Sequence, residues 1–431
     1  MCGRWRDLVF GSPRRLNLQL FCKVGTSARE TLDVWPALPL HIQGGVSETS
    51  LDNVIAELAE HSDRICKINL DFYTTSQIEK LWTAMQVPFP ELTILSLSLG
   101  RRLSCDPILP DSFLGGSAPR LRYFALTSIP FPGLPKLLSS ATHLGYLTLL
   151  NIPHSGYFSP ETMATCLSAL TSLEELYLQF DSPQSSPDQE NRGPPLLTRS
   201  VLPALTNFTF KGVYEYLEEL VARIDTPRLY QSWTTFFHDI DFDTPELIQF
   251  ITRTFGAPND VHVVFDSRIA CITPQRQASR STDVRVEILC RVPDWQLSSL
   301  AQICTLSLPL LSTTESLFIY EPVQSQLDWK DGIENTEWLD LLFPFTAVKN
   351  FYLSKQFAPR ITPALQELTG GRTIEVLPTL QNLFLEGFQP SEPVHHEGIA
   401  QFISARQLIN RPVATSVWER DSTQETFIGG P

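Results

Sequence analysis

Pro90-Glu91-Leu92-Thr93-Ile94-Leu95-Ser96-Leu97 and Pro119-Arg120-Leu121-Arg122-Tyr123-Phe124-Ala125-Leu126 are two copies of one phrase, Pro-x-Leu-x-x-[Leu/Phe]-x-[Leu/Phe], and its recurrence decides the fold. Further apolar triplets stand at Leu144/Leu147/Leu149, Leu173/Leu176/Leu178, Leu205/Phe208/Phe210, Val348/Phe351/Leu353 and Leu380/Leu383/Leu385. The last two apolar residues of each triplet are two apart, so they point to one side of a strand and into a core while their neighbours face out. Proline two places ahead, at Pro90, Pro119, Pro203 and Pro378, stops the preceding element and enters the strand without needing a ladder donor.

Between these strands the spacing predicts helices. Leu217, Leu220, Val221 and Ile224 follow the three-four pattern, and Ser159-Pro160-Glu161, Thr244-Pro245-Glu246 and Thr362-Pro363 read as helix starts. Triplet starts from Leu92 to Leu205 lie 29, 23, 29 and 32 residues apart, close to the period of leucine-rich repeats. The expected architecture is therefore an α/β leucine-rich-repeat solenoid, with a parallel sheet on the concave face and helices and turns outside. One domain is expected over residues 16–410, because each repeat packs only on its neighbours. Leu16, Leu18 and Leu20, then Leu38, Leu40 and Ile42, then Ile65, Ile68 and Leu70 supply the early strands. From 233 to 345 the phrase is lost, although Thr314/Leu317/Ile319 keeps its spacing. Asp181–Pro195 reads as a surface loop, and so does Pro274–Asp283 between the strand-like runs Val261-Val263-Phe265 and Val284-Val286-Ile288. Residues 411–431 have no periodicity and are expected to be a disordered tail.

The chain carries 33 basic and 47 acidic residues, a net charge of −14, which argues against nucleic acid and anionic membranes as partners and favours basic segments of proteins. No apolar run is long enough to span a bilayer, and Met1–Phe10 has no signal-peptide core, so an intracellular protein is expected, cytoplasmic or nuclear and not secreted. The eight cysteines form no Cys-x-x-Cys pair, so neither a disulfide framework nor a zinc site is expected. Nor does any nucleophile and base emerge as a catalytic set. Gly115-Gly116 and Gly370-Gly371 lack the surroundings of a nucleophile elbow or phosphate loop. His395-His396-Glu397 lacks a metal-ligand spacing, and Asp239-Ile-Asp241-Phe-Asp243 lacks the glycine and final glutamate of a calcium loop. No enzyme, cofactor or metal is expected.

The N-terminal stretch Cys2-Gly-Arg-Trp5-Arg-Asp-Leu8-Val9-Phe10-Gly-Ser12-Pro13 places Trp5, Leu8 and Val9 at i, i+3 and i+4. It resembles the last helix of an F-box. Phe113-Leu-Gly-Gly-Ser-Ala-Pro119-Arg-Leu121, Leu202-Pro-Ala-Leu205-Thr, Tyr216-Leu-Glu-Glu-Leu220-Val-Ala-Arg-Ile224-Asp and Glu337-Trp338-Leu-Asp-Leu341-Leu extend the likeness, and the chain resembles the fungal leucine-rich-repeat F-box proteins along nearly its whole length. That resemblance implies a substrate receptor of an SCF-type ubiquitin ligase: the F-box docks on a Skp-type adaptor, and the repeats present a target protein. Residues 1–15 would be an F-box remnant, with Trp5, Leu8 and Val9 as its adaptor-binding residues. The Leu-Pro-x-Glu-Leu segment that opens such a module is not found ahead of it, so adaptor binding is expected to be weakened or lost.

Outward positions of stacked strands form rows. One is predicted to read Ile94, Tyr123, Tyr146, Glu175, Asn207 and the next Ser96, Ala125, Thr148, Tyr177, Thr209. Solvent-facing tyrosines cost little entropy to order and serve often as anchors, so Tyr123, Tyr146 and Tyr177 are the candidate target-binding residues.

Overall fold

Leucine and phenylalanine at every second position, with small polar residues between, fit a pleated surface buried on one side, and these runs are strands. The computed structural model describes residues 20–23, 38–100, 109–130, 134–183, 199–237, 244–275, 283–307, 309–322, 334–368, 372, 374–386 and 397–419. The chain divides into two compact units: Met1–Gly212 with Ala222–Arg228, and Val213–Val221 with Leu229–Pro431.

In the first unit the strands are β1 (Leu20–Lys23), β2 (Leu40–Gly45), β3 (Ile65–Phe72), β4 (Ile94–Leu99), β5 (Tyr123–Thr127), β6 (Tyr146–Ile152), β7 (Glu175–Phe180), β8 (Ser200–Val201), β9 (Asn207–Gly212) and β10 (Ile224–Asp225). β1 to β7 and then β9 pair side by side, every pair parallel. β8 and β10 form a separate parallel pair. Register aligns Leu95, Phe124, Leu147, Leu176 and Phe208 in one core row and Leu97, Leu126, Leu149, Leu178 and Phe210 in the next, all buried.

Helices α1 (Glu48–Glu60), α2 (Thr75–Ala84), α3 (Leu134–Ser140) and α4 (Pro160–Ser168) return the chain, α1 packing on α2 and α3 on α4. Their starts are chemically marked. Thr74 and Gln77 form a capping box, and the Ser159 hydroxyl accepts from the Thr162 amide at 3.2 Å with Pro160 as first helical residue. Helix α5 (Tyr214–Arg223) buries Leu217, Leu220 and Val221, as the spacing predicts.

The second unit holds β11 (Gln231–Phe237), β12 (Asp260–Phe265), β13 (Ile269–Gln275), β14 (Asp283–Leu289), β15 (Ser316–Tyr320), β16 (Asn350–Leu353), β17 (Asn382–Glu386) and β18 (Ala414–Trp418). They pair in the order β11-β14-β13-β12-β15-β16-β17-β18. Here three sequence expectations need correction. The sheet is not wholly parallel: β13 lies antiparallel between β12 and β14, and its last residues, Pro274 and Gln275, fall in the stretch expected as a loop. The stretch 411–431 is not all tail, because Ala414–Trp418 pairs in parallel register with β17. Its residues lack apolar alternation, and Ala414 to Val417 are exposed, so ladder hydrogen bonds and the single packed ring of Trp418 hold it.

Thr362-Pro363 is the third, since it lies inside a helix. Helices of this unit are α6 (Pro245–Phe255), α7 (Pro293–Gln302), α8 (Asn335–Leu342), α9 (Ala358–Glu367) and α10 (Glu397–Leu408). In α9 the proline that sits at the start is Pro359, and the Thr362 hydroxyl donates back to the Ala358 carbonyl. At α6 Thr244 holds the cap position but makes no side-chain cap. The Glu218 carboxylate of α5 does so instead, accepting from the amides of Glu246 and, at 2.9 Å, Leu247.

Candidate interaction surface

Each strand buries alternate side chains, so the others stand in rows on the opposite face. In the first unit the register pairs Ile94 with Tyr123, Tyr123 with Tyr146, Tyr146 with Glu175 and Glu175 with Asn207. The adjacent row runs Ser96, Ala125, Thr148, Tyr177, Thr209. Towards β2 the first row continues through Lys67 to His41 and the second through Asn69 to Gln43.

Tyr123 and Tyr146 come together, their ring centroids 6.1 Å apart. Tyr146 is 37% exposed, and its hydroxyl donates to the Glu174 carboxylate at 3.4 Å. That carboxylate raises the phenol pKa above its usual value, because ionising the ring would set two negative charges side by side. Asn207 donates to Glu175 at 3.2 Å, so both neighbouring carboxylates are held in place. Tyr177 lies one strand further and one row over, diagonal to Tyr146. The surface thus runs from Lys67 to a carboxylate-flanked pair of tyrosines.

Trp5, Leu8 and Val9 lie outside the described residues, as do His395-His396, Gly370-Gly371 and Asp239–Asp243. Gly115-Gly116 is a turn, with φ of 67° and 75°, and a Cβ at Gly115 would come within 3.1 Å of the Pro88 backbone nitrogen. Among the described residues no three His, Cys, Asp or Glu side chains gather as a metal site, and Cys66, Cys166, Cys271, Cys290 and Cys304 are buried free thiols. No helix among them is long and apolar enough to cross a membrane.

The second unit carries an outward row that the sequence reading did not extract. His262, Phe318, Tyr352 and Phe384 are register partners on β12, β15, β16 and β17. Their rings stack face to face: His262 on Phe318 at 4.3 Å and 1°, Phe318 on Tyr352 at 4.1 Å and 10°, Tyr352 on Phe384 at 4.3 Å and 6°. Trp418 turns back from β18 and meets Phe318, Tyr320 and Tyr352 in edge-to-face contacts at 6.0, 6.5 and 5.6 Å. His262 is only 6% exposed, and burial pushes its pKa down to about 4, so the ring in the column is neutral. Beside the column Asn382 donates to Asn350 at 2.8 Å.

Further along the same face, Arg285 on β14 pairs with Glu287 at 2.6 Å, and the Thr235 hydroxyl donates to Glu287 at 2.8 Å. The guanidinium lies over the Trp233 ring, 4.9 Å from its centroid. The signal for this face was available: Phe318, Tyr352 and Phe384 occupy the same offset in their copies of the phrase as Tyr177 does in its own. Chemically, both faces offer rows of rings with neighbouring amides and carboxylates. No protein-family model matches this chain, and no curated protein matches it.

Proposed function

We propose that the chain is a leucine-rich-repeat solenoid that binds other proteins, and that it acts inside the cell as a substrate-recognition subunit of an SCF-type ubiquitin ligase. The observation that carries the binding half is the register of Tyr123 opposite Tyr146, with Tyr177 diagonal to Tyr146 on the next strand, on the side of the parallel strands away from the buried leucines. A flat sheet face with ordered rings and neighbouring fixed charges gives a target large contact area at low entropic cost. The ligase half rests on the sequence resemblance described above, with Trp5, Leu8 and Val9 as the adaptor-contacting residues.

The two halves are tested separately. Target binding is expected to fall at least tenfold, about 1.4 kcal/mol, when Tyr123, Tyr146 and Tyr177 are replaced together by alanine. Undiminished capture by that variant removes the tyrosine face from the proposal. For the ligase half, a protein bound by the chain should become ubiquitylated in its presence and accumulate when the chain is deleted. An unchanged lifetime, together with no binding of purified Skp-type adaptor in calorimetry, would leave a free-standing interaction scaffold.

A further inference from the structure

We infer that the free edge of β18 is a self-association surface on which two copies of this chain pair their Ala414–Trp418 strands antiparallel about Ser416. Among the described residues β18 ends the strand order of the second unit, and its own residues carry neither the charge nor the proline that commonly guards an exposed edge. The main-chain geometry says which groups are unused. The Ala414 amide donates to the Gln381 carbonyl across the ladder, so Ala414, Ser416 and Trp418 direct their N–H and C=O groups towards β17. Thr415 and Val417 direct theirs to the open side.

A two-fold axis at Ser416 matches that pattern. It sets Thr415 opposite Val417 of the second copy and Val417 opposite its Thr415. These are the positions at which antiparallel partners exchange both N–H and C=O bonds, while Ser416 meets its own counterpart as the closer, non-hydrogen-bonded pair. Side chains agree on both faces. Thr415 and Val417 are register partners of the buried Leu383 and Leu385, yet Val417 is 52% exposed, so the core side of the last strand lies open. Two such strands would place branched side chains next to one another there. On the other face Ala414 falls opposite Trp418 of the second copy, small against large, and no charged residue of the strand meets its own kind.

Leu408 and Ile409, which precede β18, are 88% and 42% exposed and add apolar surface at this end of the chain. A strand of five residues is small beside the 20–30 residues per side of a standard interface, so the dimer is a weak one, with a dissociation constant between about 1 μM and 1 mM. Its partners each carry −14, so added salt strengthens it by screening their repulsion.

Sedimentation of the full chain over that concentration range is expected to show the mass rising towards twice the monomer. Val417→Lys should hold the chain monomeric with an unchanged circular dichroism spectrum and unchanged exchange protection of β16 and β17. Ser416→Cys provides an independent reading, since the closer antiparallel pairing puts the two Cα atoms about 4.5 Å apart, within disulfide reach. Under mild oxidation it should cross-link at least tenfold faster than Ser404→Cys, an exposed control on α10, with the unaltered chain correcting for its own cysteines. A monomer throughout the range, or cross-linking no faster than the control, overturns the inference. So does a dimer that forms only after residues 420–431 are removed, because the edge would then belong to that segment.

Discussion

Replacing Tyr352 by leucine keeps apolar bulk in the ring column but removes its stacking contacts, at 4.1 Å to Phe318 and 4.3 Å to Phe384, and its edge-to-face contact with Trp418 at 5.6 Å. An aromatic pair is worth about 0.5–1.5 kcal/mol beyond the area it buries, so the loss of three is about 1.5–4.5 kcal/mol. Phe384→Leu breaks the contact with Tyr352 and is expected to cost about a third as much. Because the chain divides into two units, a single global unfolding midpoint is not a defined quantity. Native-state hydrogen exchange at the amides of β16 and β17 reads the second unit directly. The decisive form is a double-mutant cycle. Tyr352 and Phe384 should couple by about 0.5–1.5 kcal/mol, whereas His262 and Phe384, separated by two intervening rings, should be additive to within ~0.5 kcal/mol. Additivity of Tyr352 and Phe384 would refute the argument, since the stack would then contribute only its buried area.

His262 gives a pH dependence. Its folded pKa, about 4, is depressed below the ordinary 6.5, so the unfolded chain binds the extra proton between those values; this contribution is complete above pH 6.5 and is lost as pH falls towards 4. Exchange protection of β12 should therefore drop between pH 7 and 5, and His262→Phe should flatten that limb. Glu174→Gln removes the charge that raises the Tyr146 phenol, so the difference titration of Tyr146 against Tyr146→Phe should shift to lower pH; an unmoved curve would show that the carboxylate is not the cause. Leu176→Ala deletes a fully buried side chain and is expected to cost about 2–5 kcal/mol by exchange in β7, against less than about 1 kcal/mol for Leu→Ala changes at exposed sites such as Leu408. Glu287→Leu alone leaves Arg285 buried beside an apolar neighbour and is expected to cost about 3–5 kcal/mol, and the added change Arg285→Met should recover most of it.

How far the fold could be read from the chain follows from which side chains repeat for a physical reason. Leu95, Phe124, Leu147, Leu176 and Phe208 recur because each parallel strand buries the same position beside the last, and that constraint wrote the register of β4 to β7 and β9 into the sequence. β13 escaped notice because a three-stranded antiparallel excursion buries Ala270, Cys271 and Ile272 together and so erases the alternation. β18 escaped for the opposite reason: it buries almost nothing, and ladder bonds to β17 leave no mark on side-chain choice. Outward rows lie between these cases. Their residues answer to no common burial problem, so no period announces them, and Phe318, Tyr352 and Phe384 differ in type from Ala125, Thr148 and Thr209 at the same offset of the phrase. They become legible only once the core residues have fixed the register, by counting one position outward from each buried leucine. That ordering is physical: the periodic residues set the stack, and the aperiodic ones, free of that duty, carry whatever distinguishes one face from another.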